Sequence, residues 1–256
     1  MKIILKIVKD ILKLILPKSL IKSIRNLESK LVSLKYKGMS NKEVFEKIYT
    51  EKVWIPDDQK KNFKYYSGLG SHEGIFTEKY IKEVSKFLKS FKEKPDVVEL
   101  GCGDFQVSSN LTNFTNKFIA CDIFDELILS NKKRYNYPNV TFKTLDFTKD
   151  DLPDGEICII RLVLQHLSNE MIIKFLEKIK NKYTYLIVTE HLPNNENFTP
   201  NLNIITGPNI RLHLNSGVDL TKEPFNLKYT DESNLCKISS KLINFTYLNT
   251  QLYKLK

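Results

Sequence analysis

Pro95-Asp96-Val97-Val98-Glu99-Leu100-Gly101-Cys102-Gly103-Asp104-Phe105 is the stretch that decides the fold. Val97 to Leu100 is a short, mostly apolar run with a proline upstream and two glycines downstream, which predicts a buried strand entering a tight turn. Glycine at 101 and 103 lets the backbone turn sharply and approach a ligand with no Cβ in the way. About twenty residues on, Phe118-Ile119-Ala120-Cys121-Asp122 is a second apolar run ending in an acid, the place where a nucleotide-binding unit binds a ribose diol. A dinucleotide fingerprint would need glycine at position 106, which is Gln106, so a nicotinamide enzyme is the weaker reading. The bland alternative is an α/β domain whose glycines only make a turn.

Working outward, 256 residues with 41% apolar content suit one substantial α/β domain plus a helical extension. We place the extension at residues 1–64 and the catalytic domain at 65–256. The formal charge of +10 is compatible with nucleic acid or an anionic surface. The lysines are spread along the whole chain among Asn and Ile, however, so much of the charge reads as biased composition. Cys102, Cys121, Cys158 and Cys236 show no C-x-x-C spacing. They read as buried free thiols of a cytoplasmic protein, with no metal site expected.

Residues 1–16 alternate Lys2, Lys6, Lys9 and Lys13 with an isoleucine-rich face, a basic amphipathic pattern too charged to span a membrane. No small-residue cleavage site follows, so a signal peptide is not expected. Such a helix could lie on the inner face of a membrane, pack on the domain or pair with a second subunit. After Pro17, Leu20, Ile24, Leu27, Leu31 and Leu34 recur at heptad-like spacing up to Gly38. Ser40 and Glu43 predict a capping box for a third helix ending near Thr50. These helices are expected to form a cap or a dimerisation arm.

Beyond the loop Tyr65 to Gly74, a helix is expected over Thr77–Phe91, and further helices over Val107–Phe114 and Glu126–Tyr135. Strands are expected at Val140–Lys143, Ile157–Ile160 and Tyr183–Thr189, the last followed by Glu190-His191. Ser168 caps another helix, and the tail around Leu242-Ile243-Asn244-Phe245-Thr246-Tyr247 supplies the last strands. The N-terminus of the Val107 helix would aim its positive dipole end at the glycine turn.

The acid, one residue, then G-x-G (Glu99-Leu100-Gly101-Cys102-Gly103), with Asp122 after the next strand, resembles the class I S-adenosylmethionine (SAM)-dependent methyltransferases. The S-G-x-G-S loop, E-L-G-C-G-D-F, R-x-x-L-Q-H-L-S at 161–168 and the late T-G…R…P-F segment widen the likeness over roughly residues 65–225. Together they resemble one group of that class associated with bacterial surface-sugar (capsule-type) modification. The resemblance implies a doubly wound, Rossmann-like seven-stranded sheet, SAM as cofactor, and a loop at Tyr66, Ser67, Gly68 and Ser71 that closes over it. It implies cofactor contacts from Glu99, Gly101, Cys102, Gly103, Asp122 and Arg161, with Asp146 and Phe147 at the adenine. The family often has a third glycine where this chain has Phe105. The group often has an acid after the arginine, where this chain has Leu162, so any role tied to that acid is in doubt.

Methyl transfer to a hydroxyl needs the acceptor oxygen held in line and its proton removed. His166, after the fourth strand, is the first candidate base and His191 the second. Glu190 could orient a histidine or bind a sugar hydroxyl. Arg161 is a catalytic candidate, and Arg211, with His213 and Asn215, is a candidate for binding an anionic or sugar acceptor. Each also has an ordinary structural reading, as a helix-entry histidine, an ion pair or a solvated loop acid. The expected reaction is O-methylation of a sugar, nucleotide-sugar or phosphorylated precursor in polysaccharide biosynthesis. RNA methylation, N- or carboxyl-methylation and a non-catalytic SAM-binding scaffold are the alternatives.

Overall fold

The computed structural model describes residues 18–195, 197–240 and 246–256. The expected basic helix at 1–16 and the residues Leu242 to Phe245 of the tail lie outside the described residues. The strands are β1 Val97–Leu100, β2 Phe118–Asp122, β3 Val140–Thr144, β4 Ile157–Arg161, β5 Tyr185–Pro193, β6 Asp231–Ser239 and β7 Thr246–Lys254. They form one sheet in the order β3-β2-β1-β4-β5-β7-β6. The first five in that order pair in parallel, and β7 lies antiparallel between β5 and β6. This is the seven-stranded doubly wound sheet expected. The order reverses between β1 and β4, where open α/β sheets hold their ligands beyond the carboxyl ends of the strands.

Strand periodicity divides the core. Val97, Phe118, Ala120, Phe142, Ile157 and Ile159 face one side, against Phe76, Tyr80, Val84 and Leu88 of a helix at Gly74–Leu88. Val98, Leu100, Cys121, Cys158 and Ile160 face the other, against Ile172, Phe175 and Ile179 of a helix at Asn169–Ile179. Ser168 caps that helix by accepting from Met171 N at 3.4 Å. Taking the helices in chain order, α1 is Lys18–Leu34, α2 Asn41–Thr50, α3 Leu69–His72, α4 Gly74–Leu88, α5 Asp125–Arg134 and α6 Asn169–Ile179. The expected capping box is present at α2, where the Ser40 N–H donates to Glu43 Oε2 at 2.8 Å. All four cysteines are free and buried. Among the described residues, no helix is long and apolar enough to cross a membrane, and no cluster of side chains could hold a metal ion.

One expected element is absent. Val107–Phe114 is two 3-10 turns, Ser108–Asn110 and Thr112–Phe114, rather than an α-helix. The physical reason is local competition for carbonyls. Asn110 Nδ2 donates to Gln106 O and Val107 O, Ser109 Oγ to Gln106 O, and Thr112 Oγ1 to Ser109 O, at 2.9–3.1 Å. These short polar side chains occupy the carbonyls that helical N–H groups would use. A full helix dipole therefore does not face the glycine turn. A second difference is that β5 runs on to Pro193, so Glu190 and His191 lie inside the strand and not beyond it.

Phe105 stands in the left-handed region at φ 60, and its buried ring packs edge-on against Phe118, Tyr135 and Phe142. The aromatic contacts outweigh the backbone strain, since burying such a ring is worth several times the ~1–2 kcal/mol of a left-handed residue. Phe105→Ala is expected to cost about 3–5 kcal/mol in urea unfolding. Phe105→Gly should cost slightly less than Ala, because glycine relieves the φ strain. A glycine variant clearly weaker than the alanine one would contradict this account.

Candidate active site

A cleft enclosing about 870 Å³, its open mouth included, lies at the carboxyl ends of β1, β2 and β4. Its floor is the glycine turn. Gly101 and Cys102 N–H both donate to Cys121 O at 2.8 Å, and Gly103 N–H donates to Asp122 Oδ2 at 3.0 Å. Gly101 and Gly103 have φ 77 and φ 55. A Cβ on Gly101 would stand 2.5 Å from Val163 Cγ2, and one on Gly103 2.2 Å from Ser67 Oγ. The turn therefore requires glycine at both places.

Of the expected cofactor residues, Ser67, Ser71, Glu99, Gly101, Cys102, Gly103, Asp122, Asp146, Phe147 and Arg161 all line the cleft. Tyr66 and Gly68 do not. Tyr66 is buried and stacked on His72 at 3.8 Å, and Gly68 precedes α3 at φ 86. Asp122 Oδ1 accepts from Phe124 N, and burial pushes its carboxyl up to about 6. Burial likewise raises Glu99 to about 7, against the lowering effect of the bond that its Oε1 accepts from Ser108 Oγ. Asp146 Oδ1 accepts from Thr148 N at 3.0 Å and Thr148 Oγ1 at 2.6 Å, so it caps its own turn while facing the cleft. Arg161 donates to Gly70 O at 2.6 Å and Ser71 Oγ at 3.2 Å, over the Tyr80 ring. It pins the loop before α4 rather than presenting a free fork.

His166 lines the cleft from the 3-10 turn Leu164–His166. Its Nδ1 lies 3.2 Å from Gly207 O, and a carbonyl can only accept, so Nδ1 carries the proton and the Nε2 lone pair accepts from Gln165 Nε2 at 3.4 Å. Burial lowers its pKa to about 4. Of the other catalytic candidates, Arg161 lines the cleft, and Glu190 and His191 do not. Glu190 accepts from Leu164 N and Gln165 N at 3.0 Å each, so it fastens the turn that carries His166 and touches neither the imidazole nor the cleft. Burial pushes its carboxyl up to about 8. His191 pairs with Leu248 in the sheet, and its Nε2 is 2.8 Å from Thr246 Oγ1.

The three substrate-binding candidates are corrected in the same way. Arg211 is 1% exposed and spends all five donors internally, on the carbonyls of Leu202, Leu164, Gln165 and Leu167 and on Asn169 Oδ1. His213 bonds Ser29 Oγ at 3.0 Å and Ile210 O at 2.6 Å. Asn215 is the left-handed residue, φ 53, that ends the turn Arg211–Leu214. Turn geometry and backbone satisfaction, which no motif advertises, use up these side chains.

Sequence reasoning missed two groups. Asn41, Phe45, Tyr49 and Trp54, from the helical extension, form one wall of the cleft. The other is Asp104, buried in the lining, whose Oδ2 accepts from His72 Nε2 at 2.5 Å and from Ser67 N at 3.3 Å, tying the loop to the glycine turn. The sole tryptophan and the acid directly after G-x-G were the available signals.

The lining suits SAM. Four acidic side chains (Glu99, Asp104, Asp122, Asp146) face it against one guanidinium, Arg161, which fits a ligand carrying a sulfonium and an ammonium. Glu99 Oε2 and Arg161 Nε are buried without a partner among the described residues, as expected of groups that a bound amino acid would satisfy. Ile123, Leu145 and Phe147 offer an apolar slot for a base.

Fold and cleft define a SAM-dependent methyltransferase of class I. The chain belongs to the O-methyltransferase domain family, which matches residues 22–200. No curated protein sequence matches it. Three solved structures are similar in fold. The magnesium protoporphyrin IX methyltransferase ChlM of Synechocystis PCC 6803, with bound SAM, has TM-score 0.53 and 14% identity, covering 85% of this chain and 99% of that one. The N-methyltransferase NodS of Bradyrhizobium japonicum WM9, with S-adenosylhomocysteine (SAH), has TM-score 0.53 and 10% identity over 80% and 96%. The N-terminal domain of EvdMO1, with SAH and D-fucose, has TM-score 0.51 and 11% identity over 69% and 82%.

Gly103→Ala should weaken SAH binding at least ~tenfold by calorimetry, because the new Cβ displaces Ser67. Unchanged affinity would remove the turn from the site. Arg211→Lys should destabilise the fold by about 3–5 kcal/mol in urea, since carbonyls are left unpaired around a buried charge. An Arg211→Lys protein of full stability would return that residue to the substrate-binding candidates.

Proposed function

We propose that the chain transfers a methyl group to a hydroxyl of a small sugar acceptor, of the kind built into bacterial surface polysaccharides, with His166 receiving the proton. When bound, SAM supplies the activated methyl. Asp122 would hold its ribose hydroxyls, Asp146 and Phe147 its adenine, and Glu99 with Ser67 its amino-acid end. The observation that carries the reading is His166, a cleft-lining imidazole whose tautomer is fixed by Gly207 O, which leaves on Nε2 a lone pair whose long 3.4 Å bond from Gln165 Nε2 an acceptor hydroxyl would replace. A buried, neutral imidazole at pH 7 accepts a proton without first having to lose one. Phe45, Tyr49 and Trp54 give this end of the cleft aromatic walls, which suit the apolar faces of a sugar ring. The sugar assignment also draws support from EvdMO1, whose N-terminal domain was solved with D-fucose. The carboxylate-rich lining disfavours a phosphodiester acceptor, so the overall charge is weak support for RNA.

His166→Ala should lower methyl transfer by ~10²- to 10⁴-fold while SAH affinity stays within about threefold. Because burial lowers the His166 pKa to about 4, the imidazole is the competent neutral form above that value. The imidazole's own loss comes only as pH falls through about 4, so with SAM saturating, when Glu99 and Asp122 already hold the cofactor, kcat should be flat from pH 5 to 8. An acid limb centred near 6.5, or full activity in the variant, would sink His166 as the base. Transfer to an amine or a carboxylate in an acceptor panel would sink the hydroxyl assignment.

A further inference from the structure

Helix α1 carries five large apolar side chains that the rest of the described chain leaves uncovered. Leu20, Ile24, Leu27, Leu31 and Leu34 follow one another at alternating spacings of four and three, and each is 43–59% exposed. On a helix that spacing makes one stripe, about 21 Å long at ~1.5 Å per residue. The opposite face is the attached one. Asn209 Nδ2 donates to Ser29 O at 2.9 Å and to Ser33 Oγ at 3.2 Å, and Ser29 Oγ is 3.0 Å from His213 Nε2. Val32 and, just past the helix, Tyr36 pack with Val44 and Ile48 of α2. Ser29, Val32, Ser33 and Tyr36 share one face at helical spacing, so the leucine stripe points away from the body. Single exposed leucines are ordinary, but a contiguous apolar stripe marks a contact surface.

We propose that this stripe seats α1 on an anionic lipid bilayer, lying in the plane of its surface. Charge selects the occupant. Lysines run through the whole chain, but beyond residue 40 acids offset them. Residues 41–256 hold 30 Lys and Arg against 28 Asp and Glu, whereas residues 1–40 hold ten against two. Within α1 and the turn after it, Lys18, Lys22, Arg25, Lys30, Lys35 and Lys37 stand against Glu28 alone. Lys30, one turn after Leu27, and Lys35, directly after Leu34, are exposed. A lysine stem laid beside leucines, with its ammonium at the tip, suits the boundary between lipid tails and headgroups. A second copy on the same stripe would bring six cations against six, with one acid in each helix to offset them. A nucleic acid would meet the cations and leave the leucines in water. An anionic bilayer takes both, the leucines in its tails and the cations among its headgroups. Four cations inside a helix of 17 residues are too many for a span, so the helix lies on the membrane. Asn209 and His213 belong to the segment whose Gly207 O accepts from His166 Nδ1, so one short stretch joins the lipid-facing helix to the His166 end of the cleft.

Flotation of the full-length protein tests this, with vesicles of phosphatidylcholine alone and of equimolar phosphatidylcholine and phosphatidylglycerol. Wild type is expected to bind the anionic vesicles at least ~tenfold more tightly at about 0.1 M salt, and to lose most of that preference at about 1 M. Leu27→Gln/Leu31→Gln alters two exposed positions that do not line the cleft. It should keep wild-type SAH affinity by calorimetry and lose at least ~tenfold in affinity for the anionic vesicles. Lys30→Gln/Lys35→Gln should weaken that binding about fivefold per lysine at low salt. Equal affinity for neutral and anionic vesicles, or none for either, overturns the proposal. So does undiminished vesicle binding by the leucine variant, which would give the contact to another part of the chain. A concentration-dependent dimer in sedimentation velocity, or retention of RNA, that the leucine variant abolishes would assign the stripe to a second copy or to nucleic acid instead.

Discussion

The carboxylate of Asp122 is the fastening on which the cofactor cleft depends. One oxygen accepts the Gly103 N–H and the other the Phe124 N–H, while Cys121 O, one residue earlier, takes the N–H groups of Gly101 and Cys102. Asn131 Nδ2 closes the ring by donating to Gly103 O at 2.7 Å. The turn after β1 is thus bound to the end of β2, and two glycines let the chain follow that path. Burial works against the charge on Asp122 and the backbone N–H groups work for it, the balance found where a fold spends stability on a site.

The opposite wall repeats the device with other residues. The turn Leu164–His166 has its N–H groups held by Glu190 and its carbonyls held by Arg211. An acid gathers donors and a guanidinium gathers acceptors around one short turn, which leaves the His166 ring little freedom. That turn is also joined to the extension. Gly207 N donates to His166 O, and Asn209 Nδ2 donates to Ser29 O and Ser33 Oγ on α1. His166, its supporting turn and the outer helices therefore form one connected body.

The fold was legible in the sequence because its signals are local. The glycine turn, the acid at position 122, the Ser40–Glu43 box and the Ser168 cap each need only neighbouring residues, and each sits as read. The candidate site was legible in part. Pocket residues on the strand ends follow from topology, so Glu99, Asp122, Asp146, Arg161 and His166 fall in the cleft together. What stayed hidden depends on contacts between distant segments. Nothing local shows that His72 will meet Asp104 across 32 positions, or that Trp54 will stand over His166. Arg211 misled for the reverse reason: a planar fork suited to anions suits a cluster of carbonyls equally well. The missing helix at 107–114 was decided by Ser, Asn and Thr hydrogen bonds that apolar periodicity does not record.

The central claim is that the turn after β1 and the ends of β2 and β3 hold SAM. Hydrogen exchange of the full-length protein with and without SAH, read by mass spectrometry, tests it most directly. The account predicts SAH-dependent protection at residues 101–106, 122–124 and 145–148, with the strands β6 and β7 unchanged. Protection elsewhere, with these three segments exchanging as in the free protein, would contradict it.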